Sequence, residues 1–464
     1  MIHPKSSQPI RPFPDLSIVR VFRIGRSVVQ LACLIWLLLL AMATPVQAEL
    51  VIDIREAGLK RLPIALPAFV DLGAQGELAG GGRLGQQLVG VISSDLERSG
   101  LFRALDPRAF MQDSASLWRS GPDYRVWRQL NAEAILSGAI QQNGEELTAS
   151  FFLYDTFQGK LIGKGKRFSA PLKDVRHLAH RISDEIYSRL TGESGYFSSR
   201  IAFIAQKGRH KWLAMMDQDG ANRLDLTYED NHLVLTPRFS PNGENLFYIS
   251  YETSQPRIFR WMIYQGKRLQ QGEYPGLNSA PSWSPDGRYM AMTLTKDGNA
   301  EIYVKDLQTN NLRRLTFNNG IDTSPSWSPD GRQIVFNSDR AGSPQIYVMS
   351  VDGSNVRRIT YDGRYNSAPA WSPRGDLIAF VKGGEGHFRI AVTDPSGNRP
   401  RTLTNSWMDE SPTWSPNGRV ILFSRQTGDM TRLYTIDLTG HNEQPVPVGD
   451  GLGGSDPSWS PLIR

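Results

Sequence analysis

Pro325-Ser326-Trp327-Ser328-Pro329-Asp330-Gly331 decides the fold, because it recurs. Pro281-Ser282-Trp283-Ser284-Pro285-Asp286-Gly287 is the same heptapeptide, and looser copies centre on Phe239, Trp371, Trp414 and Trp459. Successive aromatics lie 44, 44, 44, 43 and 45 residues apart. A fixed period of about 40–50 residues marks a propeller or solenoid. Each copy continues alike. Ser-Pro-Asp/Asn-Gly forms a turn, with Arg374 in place of the acid in the fourth of the six copies; Pro presets the second turn position and Gly closes it. A short apolar strand follows (Gln333-Ile334-Val335-Phe336), then an alternating one (Gln345-Ile346-Tyr347-Val348), then an Asp352-Gly353 turn and a strand ending Arg358-Ile359-Thr360. With the aromatic strand, that makes four short strands bounded by turn residues. Antiparallel units of four strands around an axis make a β-propeller.

The second strands begin near Ile201, Asn245, Tyr289, Gln333, Leu377 and Val420, which predicts six blades. Only five residues follow Trp459, while Ile201-Ala202-Phe203-Ile204-Ala205 has no aromatic strand before it. One blade shared between the two ends of residues 200–464 resolves both facts and removes two open sheet edges. The repeated ring reads as inter-blade packing rather than chemistry.

The chain of 464 residues is too long for one ordinary core. Its net charge of +6 is misleading, because positions 1–48 hold five basic residues and one acid, leaving 47 basic against 45 acidic residues. Nothing in the remainder is a basic cluster interleaved with aromatics, so nucleic acid is excluded as a partner. Arg20, Arg23 and Arg26 precede an apolar run from Leu31 to Ala43, and Val46-Gln47-Ala48 fits a cleavage site. Residues 1–48 therefore read as a secretory signal peptide, with Glu49 as the mature start and no transmembrane segment afterwards. The one cysteine, Cys33, leaves with it, and disulfide or thiol chemistry leaves too.

Residues 49–195 follow another pattern. Leu62 to Val70 reads as an edge strand on account of its prolines. Leu84, Leu88, Ile92 and Leu96 make an amphipathic helix stopped at Gly100. Phe102 to Leu105 is a strand, Asp123 to Gln129 a helix, and Ala134 to Ala139 with Leu147 to Tyr154 a hairpin around Asn143-Gly144, which Leu161 to Phe168 continues. Pro171 opens a helix with Val175, Leu178, Ile182, Ile186 and Leu190 on one face, ended by Gly192. The fold class is thus multidomain: a small N-terminal α/β domain followed by a six-bladed β-propeller.

Candidate chemistry is sparse. Gly80-Gly81-Gly82-Arg83-Leu84-Gly85 matches G-x-G-x-x-G, but Asp71 to Ala79 separates it from the preceding strand and a hairpin follows, so no dinucleotide cofactor is expected. His177 and His180, beside Arg176 and Arg181, read as a solvated helix face lacking the third ligand of a metal site. The turn aspartates lack the acidic neighbours that calcium needs. The chain contains no G-x-S-x-G, G-x-x-x-x-G-K or H-E-x-x-H motif. No catalytic, cofactor or metal residue is assigned. What remains is the set of loops before the inner strands, which gather at one channel mouth and present Tyr274, Tyr365 and Trp407.

The export signal, the α/β domain and the six repeats ending in Asp456-Pro457-Ser458-Trp459-Ser460-Pro461 together resemble the TolB family of the Tol–Pal cell-envelope system. Asp184-Glu185-Ile186-Tyr187-Ser188-Arg189-Leu190-Thr191-Gly192 is similar to that family's segment before the propeller. The resemblance implies a non-enzymatic periplasmic adaptor whose propeller mouth docks the lipoprotein Pal and whose mature N-terminus contacts TolA, with other outer-membrane lipoproteins or porins as further partners. By position the Pal role falls on Tyr274, Asn278, Ala280, Asp322, Thr323, Tyr365, Asn366, Trp407 and Asp409. The TolA role falls on Glu49, Val51, Ile52, Asp53, Ile54 and Lys60. Leu277 stands where family members often carry histidine. The other functional class is a hydrolase or cofactor-dependent oxidoreductase gated by the propeller, and a pulldown of envelope partners set against a hydrolase screen separates the two.

Overall fold

The computed structural model describes residues 60–463 apart from 74, 81, 229–231 and 254. The expected leader, and Glu49, Val51, Ile52, Asp53 and Ile54, lie outside the described residues.

The first layer is an eight-stranded mixed sheet of β1 (Leu62–Ala65), β2 (Val70–Leu72), β3 (Leu78–Gly80), β4 (Phe102–Ala104), β5 (Ala134–Asn143), β6 (Glu146–Asp155), β7 (Lys160–Leu161) and β8 (Lys166–Pro171). The stretch expected to be one edge strand is two strands. Of these, β1 is interior, parallel to both β4 and the start of β5. Its proline is tolerated because the Pro63 carbonyl still accepts from Glu133 N–H at 2.9 Å. Alternation along β5 sends Ala134, Leu136 and Ile140 to one face and Ile135 to the other. The first face is covered by α1 (Arg83–Arg98) and α4 (Val175–Thr191), the second by α2 (Ser114–Ser120) and α3 (Tyr124–Gln129). The sequence reading lacked α2, a short helix started by the Asp113 side chain on Ser116 N–H.

The glycine-rich run is explained by packing. β3 ends at Gly80 and α1 starts at Arg83, but β3 is an edge strand antiparallel to β2, not the parallel strand that a dinucleotide site requires. Gly85 passes so close to Phe69 that a Cβ would sit 2.1 Å from its carbonyl oxygen. Gly192 ends α4 in the left-handed region at φ 73°.

Residues 200–459 form six four-stranded antiparallel sheets. The inner strands of blades two to six are Val234–Phe239, Asn278–Trp283, Asp322–Trp327, Tyr365–Trp371 and Asp409–Trp414. Blade one combines Arg200–Lys207, His210–Asp217 and Leu224–Asp225 with an inner strand from the chain's end, Gly453–Trp459, paired Ser458 to Ala202 and Trp459 to Ile201. The Ser460 hydroxyl accepts from Arg200 N–H at 2.8 Å and locks that register.

Two devices repeat from blade to blade. Each ring seals the seam with the preceding blade. Phe239 packs with Ala202 and Ile204, Trp283 with Phe247, Trp327 with Ala291 and Ile302, and Trp414 with Ala379 and Val392. Two of the indoles also donate backwards, Trp327 to Ser282 O and Trp414 to Ala370 O. The Leu/Ile-Thr ending is the second device. The Thr227, Thr316, Thr360 and Thr404 hydroxyls accept from the third-strand amides of Leu213, Ile302, Ile346 and Ile390 at 2.9–3.0 Å, extending the pairing of short outer strands.

Every inner strand also carries a bulge. Thr236, Ser324, Ala368, Ser411 and Asp456 sit at φ between 47° and 54°, each before a proline and inside a register shift. Proline needs no ladder partner there, which reconciles it with a strand.

Trp327→Ala opens the seam between blades three and four. It is expected to lower unfolding free energy by about 3–5 kcal/mol, read from urea denaturation.

Candidate functional site

The inner strands enclose a channel of about 510 Å³ lined by Thr236, Arg238, Ser324, Thr413 and Asp456 among others. One end is formed by the Ser-Pro-x-Gly turns and is bound to the α/β layer: Glu193 pairs with Arg374 and Arg419, and Asn417 Nδ2 donates to Ser194 O at 2.9 Å. At the other end lie the loops that enter the inner strands.

Those loops are held from behind. Asn278, Asp322, Asn366 and Asp409 are all 0% exposed. Asn278 Nδ2 donates to the carbonyls of Tyr274 (2.9 Å), Gly276 (3.0 Å) and Pro256 (3.2 Å). Asn366 Nδ2 donates to Asp362 O and Gln345 Oε1, both at 2.9 Å. Asp322 accepts from Asn318 Nδ2 (2.8 Å) and Arg340 Nη2 (2.7 Å). Asp409 holds Arg425 through Nε (2.7 Å) and Nη2 (3.1 Å), and Arg425 also reaches Glu443. Burial works against the Arg425 charge, but Glu443 and Asp409 together raise its pKa above the ordinary arginine value. In three blades the clamp reaches the residue four positions earlier, so one short polar side chain fixes one loop. The sequence reading gave these four residues a surface role; the structure sets them beneath the surface, where they shape the loops and touch no solvent.

The surface itself is aromatic. Phe317 is 73% exposed, Tyr361 72% and Trp407 61%, with Tyr228, Tyr365, Ile321 and Leu277 also exposed. Arg314 lies 4.7 Å from the Phe317 ring centroid and Arg358 5.0 Å from that of Tyr361. Trp407 packs edge-on against His387, and Tyr365 against Phe388. Among the predicted residues, Tyr365 and Trp407 belong to this crown. Tyr274 is half-buried, with Lys305 Nζ 5.8 Å from its ring. Thr323 is half-buried and accepts from Asn337 Nδ2 at 3.3 Å. Ala280 lies within the inner strand of blade three. Lys60 is remote from the crown and pairs with Glu133 at 3.1 Å. Tyr228, Phe317 and Tyr361 escaped the sequence reading. Their signal was present: each directly follows the repeated threonine.

The comparisons agree with this architecture. The family described as the TolB beta propeller domain matches residues 187–463, and the TolB amino-terminal domain matches residues 50–162. The chain belongs to the TolB family. It is 46% identical over 242 residues to the Tol-Pal system protein TolB of Paramagnetospirillum magneticum, a match covering 51% of this chain and 52% of that protein. The chain thus matches about half the length of this curated TolB relative. It is also similar to the crystal structure of TolB from Acinetobacter baumannii, with a TM-score of 0.77 and 28% identity over 87% of this chain and 97% of that one.

Asp409→Ala strands the Arg425 guanidinium with Glu443 alone and is expected to cost about 3 kcal/mol of stability. Trp407→Ala, at an exposed site, is expected to stay within about 0.5 kcal/mol of wild type. Paired denaturation curves check both.

Proposed function

We propose that this chain is a non-enzymatic adaptor of the Tol–Pal system. It is exported to the periplasm on residues 1–48, docks the outer-membrane lipoprotein Pal on its channel mouth and engages TolA through residues 49–60. In that role it helps maintain envelope integrity and outer-membrane constriction at division. The observation that carries the reading is the exposed crown of Phe317, Tyr361, Tyr365 and Trp407 on clamped loops. Large apolar side chains left in water on a rigid platform are what protein interfaces use, with arginine at the rim. Preformed loops also reduce the ordering entropy of binding. Membership of the TolB family, and a relative named for the Tol-Pal system, support the choice of partners.

On this reading Asn278, Asp322, Asn366 and Asp409 set loop shape, while the crown makes contact. Leu277 adds an apolar contact at a position where family members often carry an imidazole.

Phe317→Ala with Trp407→Ala is expected to weaken binding of a soluble Pal domain by about tenfold to a hundredfold, in calorimetry, without moving the denaturation midpoint. Deleting residues 49–60 is expected to abolish TolA capture and spare Pal. Unchanged Pal affinity in the double variant would sink the reading.

A further inference from the structure

The junction between the α/β layer and the propeller contains a buried polar cluster. There His180 of α4 is buried, with 2% of its side chain exposed. Its Nδ1 lies 2.7 Å from Asp95 Oδ2 on α1. The other Asp95 oxygen accepts from Gln218 Nε2, on the propeller, at 2.9 Å. Among the described residues, the buried His180 Nε2 has no hydrogen-bond partner. The acid facing it is Asp217 of blade one, whose Oδ2 is 4.0 Å away. Asp217 Oδ2 also accepts from Asn222 Nδ2 at 2.7 Å, and Arg176 Nε lies 3.9 Å from it while the same guanidinium bonds Asp219. A cleft of about 460 Å³ lined by Lys173, Arg176, His177, Arg200, Asp217 and Arg223 opens alongside.

A carboxylate only accepts, so the Nδ1–Asp95 contact fixes the proton on Nδ1. A neutral ring then turns the Nε2 lone pair toward the Asp217 carboxylate, acceptor against acceptor. One added proton makes Nε2 a donor and converts the same approach into a charge-assisted bond across the two domains. We propose that His180 is a proton-operated clasp: protonated, it donates to Asp95 within the α/β layer and to Asp217 of the propeller, and its deprotonation loosens the docking of the two domains.

The surrounding charges favour this direction. Burial opposes the His180 charge, but Asp95, Asp219 and Asp217 outweigh it and hold the pKa above the ordinary histidine value. Burial likewise raises Asp217, and the His180 charge works against that rise. His177, one turn earlier, is the contrary case: burial, with Arg181, His180 and Arg200, pulls it down to about 4. Asp184, one turn later, is pushed up to about 6 by burial. A group raised on folding stabilises fully below its unfolded pKa and loses that contribution as pH rises through the folded one. Clasp strength should therefore be complete below about pH 6.5 and fall above it. Asp184, with its midpoint at about 6, overlaps the start of that window, so the clasp is read above about pH 7. His177 acts with the opposite sign, toward acid.

The experiment uses the full mature chain, residues 49–464. Proteolysis of the linker, residues 192–199, is followed from pH 6 to 9 alongside the NMR titration of the His180 ring. Linker protection is expected to fall by about tenfold for each pH unit by which docking holds the proton on, with a ring midpoint above 6.5. Above about pH 7, beyond the Asp184 step, His180→Gln is expected to be pH-independent, and Asp217→Asn, which keeps the imidazole beside Asp95 and Asp219, to respond less than the wild type. A midpoint at or below 6.5, or a His180→Gln variant with the wild-type pH profile, overturns the proposal. Tight Zn²⁺ binding that His180→Gln abolishes would assign the neighbouring Asp95, His180 and Asp219 to a metal and overturn it equally.

Discussion

The stack of rings at the junction of the two domains is the contact on which the remaining structure hangs. Phe102 meets Tyr187 of α4, Tyr187 meets Tyr196 and Phe197 of the linker, and Tyr196 meets Trp459 of the closing strand, with centroids 5.7–6.3 Å apart. One apolar core therefore runs from the sheet of the first layer through α1 and α4 into the first and last blades. Ring closure and domain docking share it. Trp459 seals the propeller on one face and the linker on the other, its indole donating to Ser199 Oγ at 2.8 Å. Asp184 fixes the linker's course by accepting from the amides of Phe197 (2.7 Å) and Ser198 (3.0 Å). Loosening any of these groups would release both the last strand and the first domain.

The propeller beyond that junction is one solution repeated. A blade buries its two faces only against its neighbours, so each copy needs something that reaches back across the seam, and the ring provides it. Its strands are too short to hold an outer edge by ladder bonds alone, and the threonine adds one. Its inner strand must turn past a crowded channel, and the proline bulge lets it. The ring and the proline recur at the same place in every blade, and the threonine in four of the six, which is why they surface as a 44-residue rhythm rather than as a local motif.

That rhythm is why the architecture was legible. Blade count, the shared position of the aromatic and the four-strand grammar all follow from spacing. What depends on a second layer was not legible. His177 and His180 stand among arginines and look solvated, because a helical stripe reports only one packing partner. α4 has two, the sheet on one side and the propeller on the other, so its buried face is wider than its apolar stripe. The prolines around β1 suggested an edge, yet Pro63 keeps the one bond that an interior position requires. Asn278, Asp322, Asn366 and Asp409 open strands at a loop, where exposure is the natural guess. In these four blades a residue at the start of the inner strand instead turns inward, where a short amide or carboxylate ties the loop. Attention to inner strands also hid Phe317 and Tyr361, which sit at the end of the fourth strand.

The two ends of the channel are thus built for different purposes. One is welded to the α/β layer by Glu193, Asn417 and the ring stack, and the other is an aromatic surface on clamped loops. An influence passing between them has the inner strands as its direct route. Five of the six hold a non-glycine residue at positive φ, from Thr236 through Asp456. Such a residue is strained by about 1–3 kcal/mol and persists because its surroundings over-determine it. Five such points, aligned around one channel, are places where a small shift of a mouth loop alters the energy of a whole strand. A ligand can move that equilibrium only by its differential affinity for the two arrangements. The crown is therefore the better lever, since its loops are tied by the side chains that begin those strands.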